Sequence, residues 1–562
     1  MSSETAITER IQSDLRGPGG DWETTFEDVL GENLLVFKNR HRSIREMFNA
    51  NIAKWASREF LVLGERRITY KELKSCVEST AYRMQNQCGI KQGDRVAILG
   101  ANSPEWVISF FAATHLGAIV AALNGWWTET EIRHALELTD PSLVVGDSRR
   151  LARAGSLLDN FQVVDFDQNP LFFETSEKGP EYPDLDEDDP ALILFTSGTT
   201  GKSKGALLSH RSLVGFVDGT IHNAYEKKLI ALTLLGIDIA SLPNEQEVIL
   251  ATSPLFHISG LPAGVLMNMA NGAKLIFRKG RFDPSDVLRL IEEEKVTNWV
   301  AIGDMGPRVM MHPEFLSRDT SSLTRVSSGG AHLSKHMQDL IGKHFPQAAH
   351  SIGQGYGSSE SCGVITSIGG QDFKDNPDSA GSPCLGYEVE IRDSDDNPLG
   401  EGEEGEIHVR SAYSMLRYWG NDTATAETIK QGRWLAMGDI GKIVDGKLYI
   451  NSRARDMIIR SGENIYPVEI EHRLESHPFI HEAAVIGVDD DEKGQIPKAI
   501  IVLSDNGHFE VDTFSEWCSE TLASYKVPEI WEHRTSSLPR TASGKVIKGA
   551  LTGDREVSSF DD

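Results

Sequence analysis

Cysteine is scarce in this chain: there are five among 562 residues, and none forms a CxxC pair. Scattered cysteines in odd number argue against a disulfide framework and a structural zinc site, and they indicate a reducing compartment. Positive charge is also in short supply, since 56 Lys and Arg stand against 83 Asp and Glu, a net charge of −27. So acidic a chain is a poor partner for nucleic acid or an anionic membrane.

Long apolar runs are missing as well. The most tempting one, residues 107–123 (VISFFAATHLGAIVAAL), includes Ser109, Thr114 and His115, and it is shorter than the ~20 residues that a membrane span needs. We expect a buried helix followed by a strand there, and no span. The first residues are charged throughout and lack the apolar core of a signal peptide. A cytoplasmic location is therefore expected.

What the chain does have is an alternation of strand-length apolar runs with helical patterns, up to about residue 450. The candidate strands are residues 95–100, 143–146, 248–252 and 274–277, and a candidate helix is 284–295. This alternation predicts an α/β fold with parallel sheets covered by helices. Further on, the candidate strands 483–488 and 497–503 are flanked by short helices and predict a small α+β unit. With no low-complexity linker, we expect a tight hinge between the two regions.

A glycine-rich segment follows a further apolar run at residues 191–195. Residues 196–205 read TSGTTGKSKG and include Lys202 and Lys204. Glycines let the backbone approach a ligand, and N–H groups, hydroxyls and lysines can hold phosphate oxygens, so we predict a nucleotide phosphate clamp. The Walker pattern fails because its first glycine would fall on Thr196, and GQGYGS at 353–358 fails the dinucleotide pattern because it ends in Ser358.

The segment LFTSGTTGKSKG resembles the signature of the adenylate-forming superfamily, most closely that of fatty-acyl and 4-coumarate-type CoA ligases. Companion motifs follow in family order: PLFHISG (254–260), SSGGAHL (327–333), GQGYGSSE (353–360), GEIHVRSAYSMLRYW (405–419), WLAMGDIG (434–441), SRARDMIIRSGENIYPVEIE (452–471) and PRTASGKV (539–546). The resemblance covers about residues 60–548.

This resemblance implies a large N-terminal AMP-binding domain, residues 1–453, built from two βα subdomains and a β-barrel. It also implies a small mobile α+β domain, residues 454–562, that carries the catalytic lysine. The implied reaction has two steps: a carboxylate attacks the α-phosphate of ATP to give an acyl-adenylate and pyrophosphate, and CoA then displaces AMP. ATP, Mg²⁺ and CoA are the implied cofactors, a small carboxylic acid the partner, and a homodimer a possible assembly.

Residue roles also come from the resemblance. The catalytic set is Lys545, Glu360, Ser359 and His257, with Glu360 as the magnesium ligand. Matches to the ATP and AMP contacts are Thr196, Ser197, Gly198, Thr199, Thr200, Gly201, Lys202, Lys204, Gly330, Ala331, Tyr356, Asp439 and Arg453. The hinge and CoA-facing residues are Arg455, Ser461, Gly462 and Glu463.

Some positions depart from the family pattern or have no family role. Ser359 replaces a usual threonine but keeps its hydroxyl, whereas Met437, in AMGD where RTGD is usual, loses one. We expect Lys548 to be a solvated surface lysine, and the neighbouring pair Trp126 and Trp127 has no assigned role.

The expected acyl pocket is lined by Phe256, Trp299, Met305, Gly329, Gly355 and Cys362. Such a pocket fits a fatty, aryl or alicyclic acid, and apart from Asp304 no acidic residue is placed to hold an α-amino group. Three functions stay open: a carboxylic acid–CoA ligase, an adenylating enzyme that passes its acyl group to a carrier-protein thiol or oxidises it, and a non-catalytic nucleotide-binding module. The absence of a carrier domain from this sequence favours the first.

Overall fold

The structure is a computed structural model. It describes residues 3–176, 178–196, 203–242, 245–302, 305–329, 335–349, 351–453, 456–460, 463–490, 493–504, 507–541 and 545–552.

The strands, in chain order, are β1 (Thr24–Val29), β2 (Glu32–Phe37), β3 (Glu59–Leu63), β4 (Arg66–Thr69), β5 (Arg95–Leu99), β6 (Ile119–Ala122), β7 (Leu143–Gly146), β8 (Val163–Asp165), β9 (Pro190–Thr196), β10 (Lys204–Ser209), β11 (Val248–Leu250), β12 (Lys274–Phe277), β13 (Asn298–Ile302), β14 (Arg325–Gly329), β15 (Gly353–Ser358), β16 (Gly363–Gly369), β17 (Ser379–Pro383), β18 (Tyr387–Arg392), β19 (Gly405–Ser411), β20 (Arg417–Tyr418), β21 (Leu435–Val444), β22 (Lys447–Arg453), β23 (Ile458–Arg460), β24 (Glu463–Ile465), β25 (Ile480–Asp490), β26 (Gly494–Leu503) and β27 (Ile530–Arg534).

The helices are α1 (Ser3–Arg16), α2 (Ile44–Trp55), α3 (Tyr70–Gln87), α4 (Pro104–His115), α5 (Glu129–Thr139), α6 (Ser148–Ala154), α7 (His210–Leu234), α8 (Met267–Ala270), α9 (Pro284–Glu294), α10 (Met305–Met310), α11 (Lys335–His344), α12 (Gly370–Asp375), α13 (Asp422–Thr428), α14 (Pro467–Glu475), α15 (Val511–Ser519) and α16 (Lys548–Leu551). A π-helical stretch, Leu261–Leu266, runs directly into α8.

Two sheets with parallel cores make up the first half of the fold. The first has the order β20-β10-β9-β6-β5-β7-β8, and the second has the order β14-β13-β11-β12-β3-β4. Strands β9, β6, β5, β7 and β8 are parallel neighbours, as are β14, β13, β11, β12 and β3. This arrangement confirms the predicted α/β class.

Helix α4 shows why the sequence builds this core. Ser103 caps its N-terminus and Pro104 occupies its first turn. Every residue from Trp106 to His115 is buried, and the helix contacts β3, β5 and β6. The apolar run at 107–123 is thus a buried helix followed by β6, as the sequence predicts.

An antiparallel sheet of order β15-β16-β17-β22-β21-β19-β18 follows in the chain. Its register places Asp439 of β21 opposite Arg453 of β22. The motif at 353–358 is strand β15 of this sheet, paired with β16, and not a phosphate-binding turn. Gly357 is required there because a Cβ would lie 1.7 Å from the Gly363 carbonyl oxygen.

The C-terminal region has its own sheet, ordered β24-β23-β26-β25, with β27 parallel to β26. Helix α14 packs on β25 and begins at Pro467, which suits a first helical turn. Its residues Ile470 and Leu474 are buried in this region's own hydrophobic cluster. The small α+β unit predicted from the sequence is therefore present, although the predicted hinge residue, Arg455, lies outside the described residues.

The N-terminal helix α1 packs on the long helix α7. Glu226 of α7 accepts hydrogen bonds from Gln12 (3.0 Å) and Arg16 (2.5 Å) of α1, and His222 Nε2 lies 3.2 Å from its Oε2. Despite its burial, Glu226 has its pKa lowered to about 2 by these hydrogen bonds. This charge cluster fixes α1 to the middle of α7.

The acidic segment 167–190 is predicted to be a surface loop, and most of it is exposed. Its last part is anchored, however, since Glu187 pairs with Arg40 at 2.8 Å and Asp188 pairs with Arg211 at 2.6 Å. Both arginines are buried. The charges of this segment thus serve to seat buried arginines, as well as facing solvent.

Candidate active site

One cavity of about 1620 Å³ lies where the three N-terminal sheets and the C-terminal segment meet. A single ligand pocket is usually smaller than about 1,000 Å³, so this one has room for more than one substrate. Its lining includes residues from seven of the eight predicted motifs, among them Thr196 and Lys204, Phe256 and His257, Gly355 to Glu360, Asp439, and Lys545. Motifs separated by hundreds of residues thus meet in one space.

Tyr356 and Asp439 form a hydrogen-bonded pair in the wall. The Tyr356 hydroxyl, on β15, donates to Asp439 Oδ2, on β21, at 2.6 Å. The ring offers a flat apolar face, and the carboxylate can still accept further hydrogen bonds from a diol. Only the backbone of Arg453 is described, opposite Asp439 in the sheet. Met437, close by on β21, also lines the cavity.

Glu360 lies beside a tyrosine and a lysine. The Tyr418 hydroxyl donates to Glu360 Oε1 at 2.8 Å, and Lys204 Nζ lies 4.5 Å from the centre of the Tyr418 ring. Burial, together with the Glu360 charge, raises the pKa of Tyr418, which keeps its proton on the hydroxyl for this hydrogen bond. The backbone N–H of Met415 donates to the Glu360 carbonyl at 2.7 Å.

These residues fit a magnesium ion of the kind held by one carboxylate and substrate phosphates. Glu360 lines the cavity, with Lys204 and the hydroxyl of Ser359 near it in the same lining. Within the described part of the chain, no group of three or more acidic, histidine or cysteine side chains is arranged to hold a metal by itself. A metal at Glu360 would therefore take most of its ligands from phosphate and water.

His257 is a neutral histidine in the wall. Its Nδ1 lies 2.9 Å from the Ser259 hydroxyl and accepts the Ser259 backbone N–H at 3.3 Å, so its proton is on Nε2. Burial lowers the pKa of His257 to about 4, and the nearby charge of Lys545 contributes. Neutral His257 can donate a hydrogen bond from Nε2 to a substrate oxygen.

Lys545 belongs to two antiparallel segments, residues 540–541 and 545–546, that line the cavity, and we call this pair of segments the hairpin. The Thr541 N–H donates to the Lys545 carbonyl at 2.7 Å, and the Lys545 N–H donates to Thr541 Oγ1 at 3.1 Å. Arg540 pairs with Val546 across the hairpin and binds Glu482 at 2.8 Å. The hairpin thus presents Lys545 on the lining of the cavity.

Lys548 differs from the sequence-based expectation. Its Nζ lies 2.6 Å from Glu471 Oε1, and both side chains are largely buried. The same Oε1 accepts the backbone N–H of Val485 at 2.7 Å. Lys548 is therefore not a solvated lysine but an anchor between the segment after Lys545 and helix α14.

The predicted acyl-pocket residues divide into two groups. Phe256, Trp299 and Gly355 line the cavity. Met305 packs into the core behind β13, and Cys362 is fully buried, with its Sγ 3.3 Å from the Ser212 carbonyl. These two do not line the cavity, because their side chains point into the packed interior. Gly329 ends β14.

Several other predicted positions lie outside the described residues. They are Ser197, Gly198, Thr199, Thr200, Gly201, Lys202, Gly330, Ala331, Asp304, Arg455, Ser461 and Gly462. Glu463 begins β24, and only its backbone is described.

The structure gives Trp126 and Trp127 a place that the sequence did not suggest. The Trp126 ring meets the Phe256 ring edge to face at 5.3 Å, and the Trp127 ring meets that of Phe195 at 5.1 Å. Both tryptophans line the cavity. Trp126 thus packs on the residue before His257, and Trp127 packs on the residue before the glycine-rich segment 196–205.

Three further lining residues escaped the sequence analysis. His134 of α5 donates from Nε2 to the Ser203 carbonyl at 3.0 Å, at the end of the glycine-rich segment. Tyr418 orients Glu360, and Thr220 lies on α7. Tyr418 falls within the motif at 405–419, so its place in a motif was a usable signal; His134 and Thr220 carried none.

No helix in the described part of the chain combines the length and apolarity required to cross a bilayer.

Two family models match this chain and together cover most of it. The model "AMP-binding enzyme" matches residues 48–419, and "AMP-binding enzyme C-terminal domain" matches residues 469–545. Feruloyl-CoA synthase from Amycolatopsis sp is 33% identical over 494 residues, which are 87% of this chain and 94% of that enzyme. The 2-succinylbenzoate–CoA ligase of Bacillus velezensis is 31% identical over 496 residues, 87% of this chain and 94% of that enzyme.

Solved structures agree. The o-succinylbenzoate CoA synthetase of Bacillus subtilis, in complex with its acyl-adenylate intermediate, is 27% identical, with a TM-score of 0.75 over 92% of this chain and 100% of that chain. The same enzyme with ATP and magnesium ion gives 28% identity and a TM-score of 0.74 over 90% of this chain and 99% of that chain. These matches confirm the predicted fold and enzyme class and agree with the predicted use of ATP, Mg²⁺ and CoA. The chain belongs to the AMP-binding enzyme family.

Proposed function

We propose that this enzyme is an ATP-dependent carboxylic acid–CoA ligase acting on a hydrophobic fatty, aryl or alicyclic acid. The observation that carries the proposal is the meeting of Lys545, His257, Glu360 and the pair of Tyr356 and Asp439 on one cavity. The lining residues Lys204, Glu360 and Asp439 are polar and suit a nucleotide. The lining residues Phe216, Ile249 and Phe256 are apolar and suit the acid.

In the first step, the carboxylate oxygen of the acid attacks the α-phosphorus of ATP, and the bond to pyrophosphate breaks. Lys545 neutralises the repulsion between carboxylate and phosphate and stabilises the charge that develops at the phosphorus. Asp439 accepts hydrogen bonds from the ribose hydroxyls, and the Tyr356 ring lies against the adenine. Lys204, with Thr196 and Ser359, binds phosphate oxygens. Mg²⁺ held at Glu360 would supply charge neutralisation of the phosphates.

In the second step, the CoA thiolate attacks the acyl carbon and AMP leaves. His257 is neutral and lies near Lys545, and its Nε2–H donates a hydrogen bond to the acyl oxygen or, in the first step, to the substrate carboxylate. The domain rotation about Arg455, the CoA contacts of Ser461, Gly462 and Glu463, and the assignment of residues 1–453 and 454–562 as separate domains are parts of the same proposal.

The test is AMP formation with ATP and Mg²⁺ over a panel of acids, from acetate to fatty, aryl and polycyclic acids, with and without CoA. We expect AMP release that requires CoA, together with one acyl-CoA product for each accepted acid. Pyrophosphate release without any thioester would contradict the ligase and would favour transfer to a carrier-protein thiol. No release of AMP or pyrophosphate with any acid would contradict catalysis.

A further inference from the structure

The apolar part of the cavity has three walls that continue away from the catalytic residues. Strand β11 and the residues on either side of it supply Glu247, Ile249, Ala251 and Ser253. Neighbouring strand β13 adds Asn298 and Val300 in the same way. Leu250, Thr252 and Trp299, which lie between these residues, also line the cavity, so the two neighbouring strands contribute consecutive residues to one wall.

Two helical segments form the opposite walls. Helix α7 contributes Phe216, Thr220 and Ala224, which are spaced by four and share one helix face. The stretch that begins at Gly260 and runs through the π-helix into α8 contributes residues up to Asn271. The two segments contact each other, so the walls enclose one passage.

Exposure increases in the same direction along the two helical walls. Phe216 is buried and lies close to Gly363, next to the Glu360 motif, whereas Ala224 is exposed. Gly260 is buried, whereas Asn271 is exposed. On the strand wall, Glu247 is half-buried, whereas Ile249 and Asn298 are buried. Among the residues that the structure describes, the passage thus leads from the catalytic residues toward solvent between the two helical walls.

Its length follows from the walls. From Ala251 to Glu247 a strand covers ~13 Å, and from Phe216 to Ala224 a helix covers ~12 Å. Ala251, Ala224 and Gly264 are small, so their backbones leave space for an occupant.

The outer end is polar. Asn298 donates to Glu247 at 3.1 Å, and Arg325 lies 3.9 Å from the same carboxylate. With Asn271, these groups surround the mouth. Water and polar side chains therefore meet whatever emerges there, and an apolar tail gains nothing by extending beyond it.

We propose that the acid substrate is elongated: its carboxylate lies at Lys545, its apolar chain fills this passage, and its far end reaches solvent near Glu247 and Asn271. This rests on the proposed ligase function and narrows its substrate class from any hydrophobic acid to one longer than a single ring. A polar group at the far end of the chain is tolerated because it lies in water.

The first test is a series of unbranched carboxylic acids of increasing length in the CoA-dependent assay. Each methylene buried in the passage should raise kcat/KM by about fourfold until the chain reaches the mouth, after which the gain stops. An ω-hydroxy acid of that full length should react within about threefold of the plain acid, whereas on a shorter acid the hydroxyl falls inside the passage and should lower kcat/KM at least tenfold.

Two variants that replace an alanine of α7 by phenylalanine test whether the acid lies in this passage. Ala224→Phe places a ring at the passage wall, and it should lower the ratio of kcat/KM for long over short acids at least tenfold. Ala231→Phe is the control, since Ala231 is also exposed on α7 but does not line the cavity. Asn271→Trp, on the opposite wall, should lower the same ratio.

The Kd for dodecanoate, measured by isothermal titration calorimetry, provides a readout that does not need turnover. We expect binding that Ala224→Phe weakens and Ala231→Phe does not. Thioester formation with short or single-ring acids alone, and no gain with length, would overturn the elongated substrate and leave the ligase standing. Absence of thioester with every acid, while dodecanoate binds and Ala224→Phe weakens it, would overturn the ligase and leave the passage. Absence of both would overturn the two together.

Discussion

The two sides of the catalytic cavity are built by different means. On one side, Tyr356 and Asp439 come from strands of a single antiparallel sheet, whose register fixes the spacing of their backbones. On the other, Lys545 stands on a short hairpin held by ion pairs through Arg540 and Lys548. The hydrogen bonds of a sheet break only when the domain unfolds, whereas a hairpin held by ion pairs can detach locally. Under the proposed function, nucleotide binding thus rests on the rigid side and the catalytic charge on the adjustable one.

The largest expected effect is on the rate of the first step, and it should leave ATP binding nearly unchanged. Lys545→Ala should slow adenylate formation by about 10²–10³-fold, because it removes the cation that stabilises the reacting phosphate. The KM for ATP should change little, since the sheet side still binds the nucleotide. Pyrophosphate release measures the first and ATP titration the second. Lys493→Ala, an ion-paired lysine of the same region outside the cavity lining, is the control. A large rise in KM without loss of rate would contradict the division.

The reciprocal change is on the rigid side. Asp439→Asn should raise the KM for ATP by about 10–100-fold, because charged hydrogen bonds to the ribose are weakened, a loss of about 1.5–3 kcal/mol. Tyr356→Phe removes only the hydroxyl that donates to Asp439 at 2.6 Å, and it should raise KM less. If Asp439→Asn lowered kcat alone, the carboxylate would not be a binding group.

The adjustable side should also respond to pH. Burial raises the pKa of Glu475, a cavity residue of α14, to about 7, and the nearby Glu471 charge adds to this. The folded state therefore keeps a proton that the unfolded state has lost, so stability falls as pH rises from about 4.5 to about 7. Glu475→Gln should remove about 2 kcal/mol of this dependence between about pH 5 and pH 8. Chemical unfolding at both pH values measures it.

The exposed Glu516 of α15 offers a matched control. Glu516→Gln should leave the slope of stability against pH as in the wild type. Equal slopes for the wild type and Glu475→Gln would show that Glu475 does not titrate in this range.

The smallest expected effect concerns the anchor of the hairpin. A double-mutant cycle on Glu471→Gln and Lys548→Met should give a coupling of about 1 kcal/mol in the rate of adenylate formation, roughly fivefold. The reason is that either change frees the segment after Lys545 from α14. Additive effects of the two substitutions would mean that this ion pair does not position Lys545.

Much of this organisation could be predicted from the sequence. The strands expected at 143–146 and 274–277 coincide with β7 and β12, and the helix expected at 284–295 is α9. Local apolar patterning decides such elements. The resemblance of whole motifs to those of a known family is also local information, and it is the reason that Glu360, Asp439 and Lys545 could be predicted together.

What escaped prediction depends on contacts between distant segments. Lys548 reads as a surface lysine until α14 brings Glu471 to it. Cys362 follows a cavity motif, but a positive φ of 59° at that residue accompanies a turn of the chain into the core. The roles of Trp126 and Trp127 follow from Phe256 and Phe195, which lie far along the chain. No local pattern encodes such partners.

The attachment of α1 to α7 has a practical side. Residues 3–16 lie ahead of the family match, which begins at residue 48, and would be an obvious stretch to trim. Yet Gln12 and Arg16 donate hydrogen bonds to Glu226. Glu226 lies about half a helical turn after the cavity residue Ala224 on α7. Trimming that stretch, or fusing a bulky tag to it, would disturb the wall of the substrate pocket. Activity profiles of this enzyme should therefore be recorded with its N-terminal helix intact.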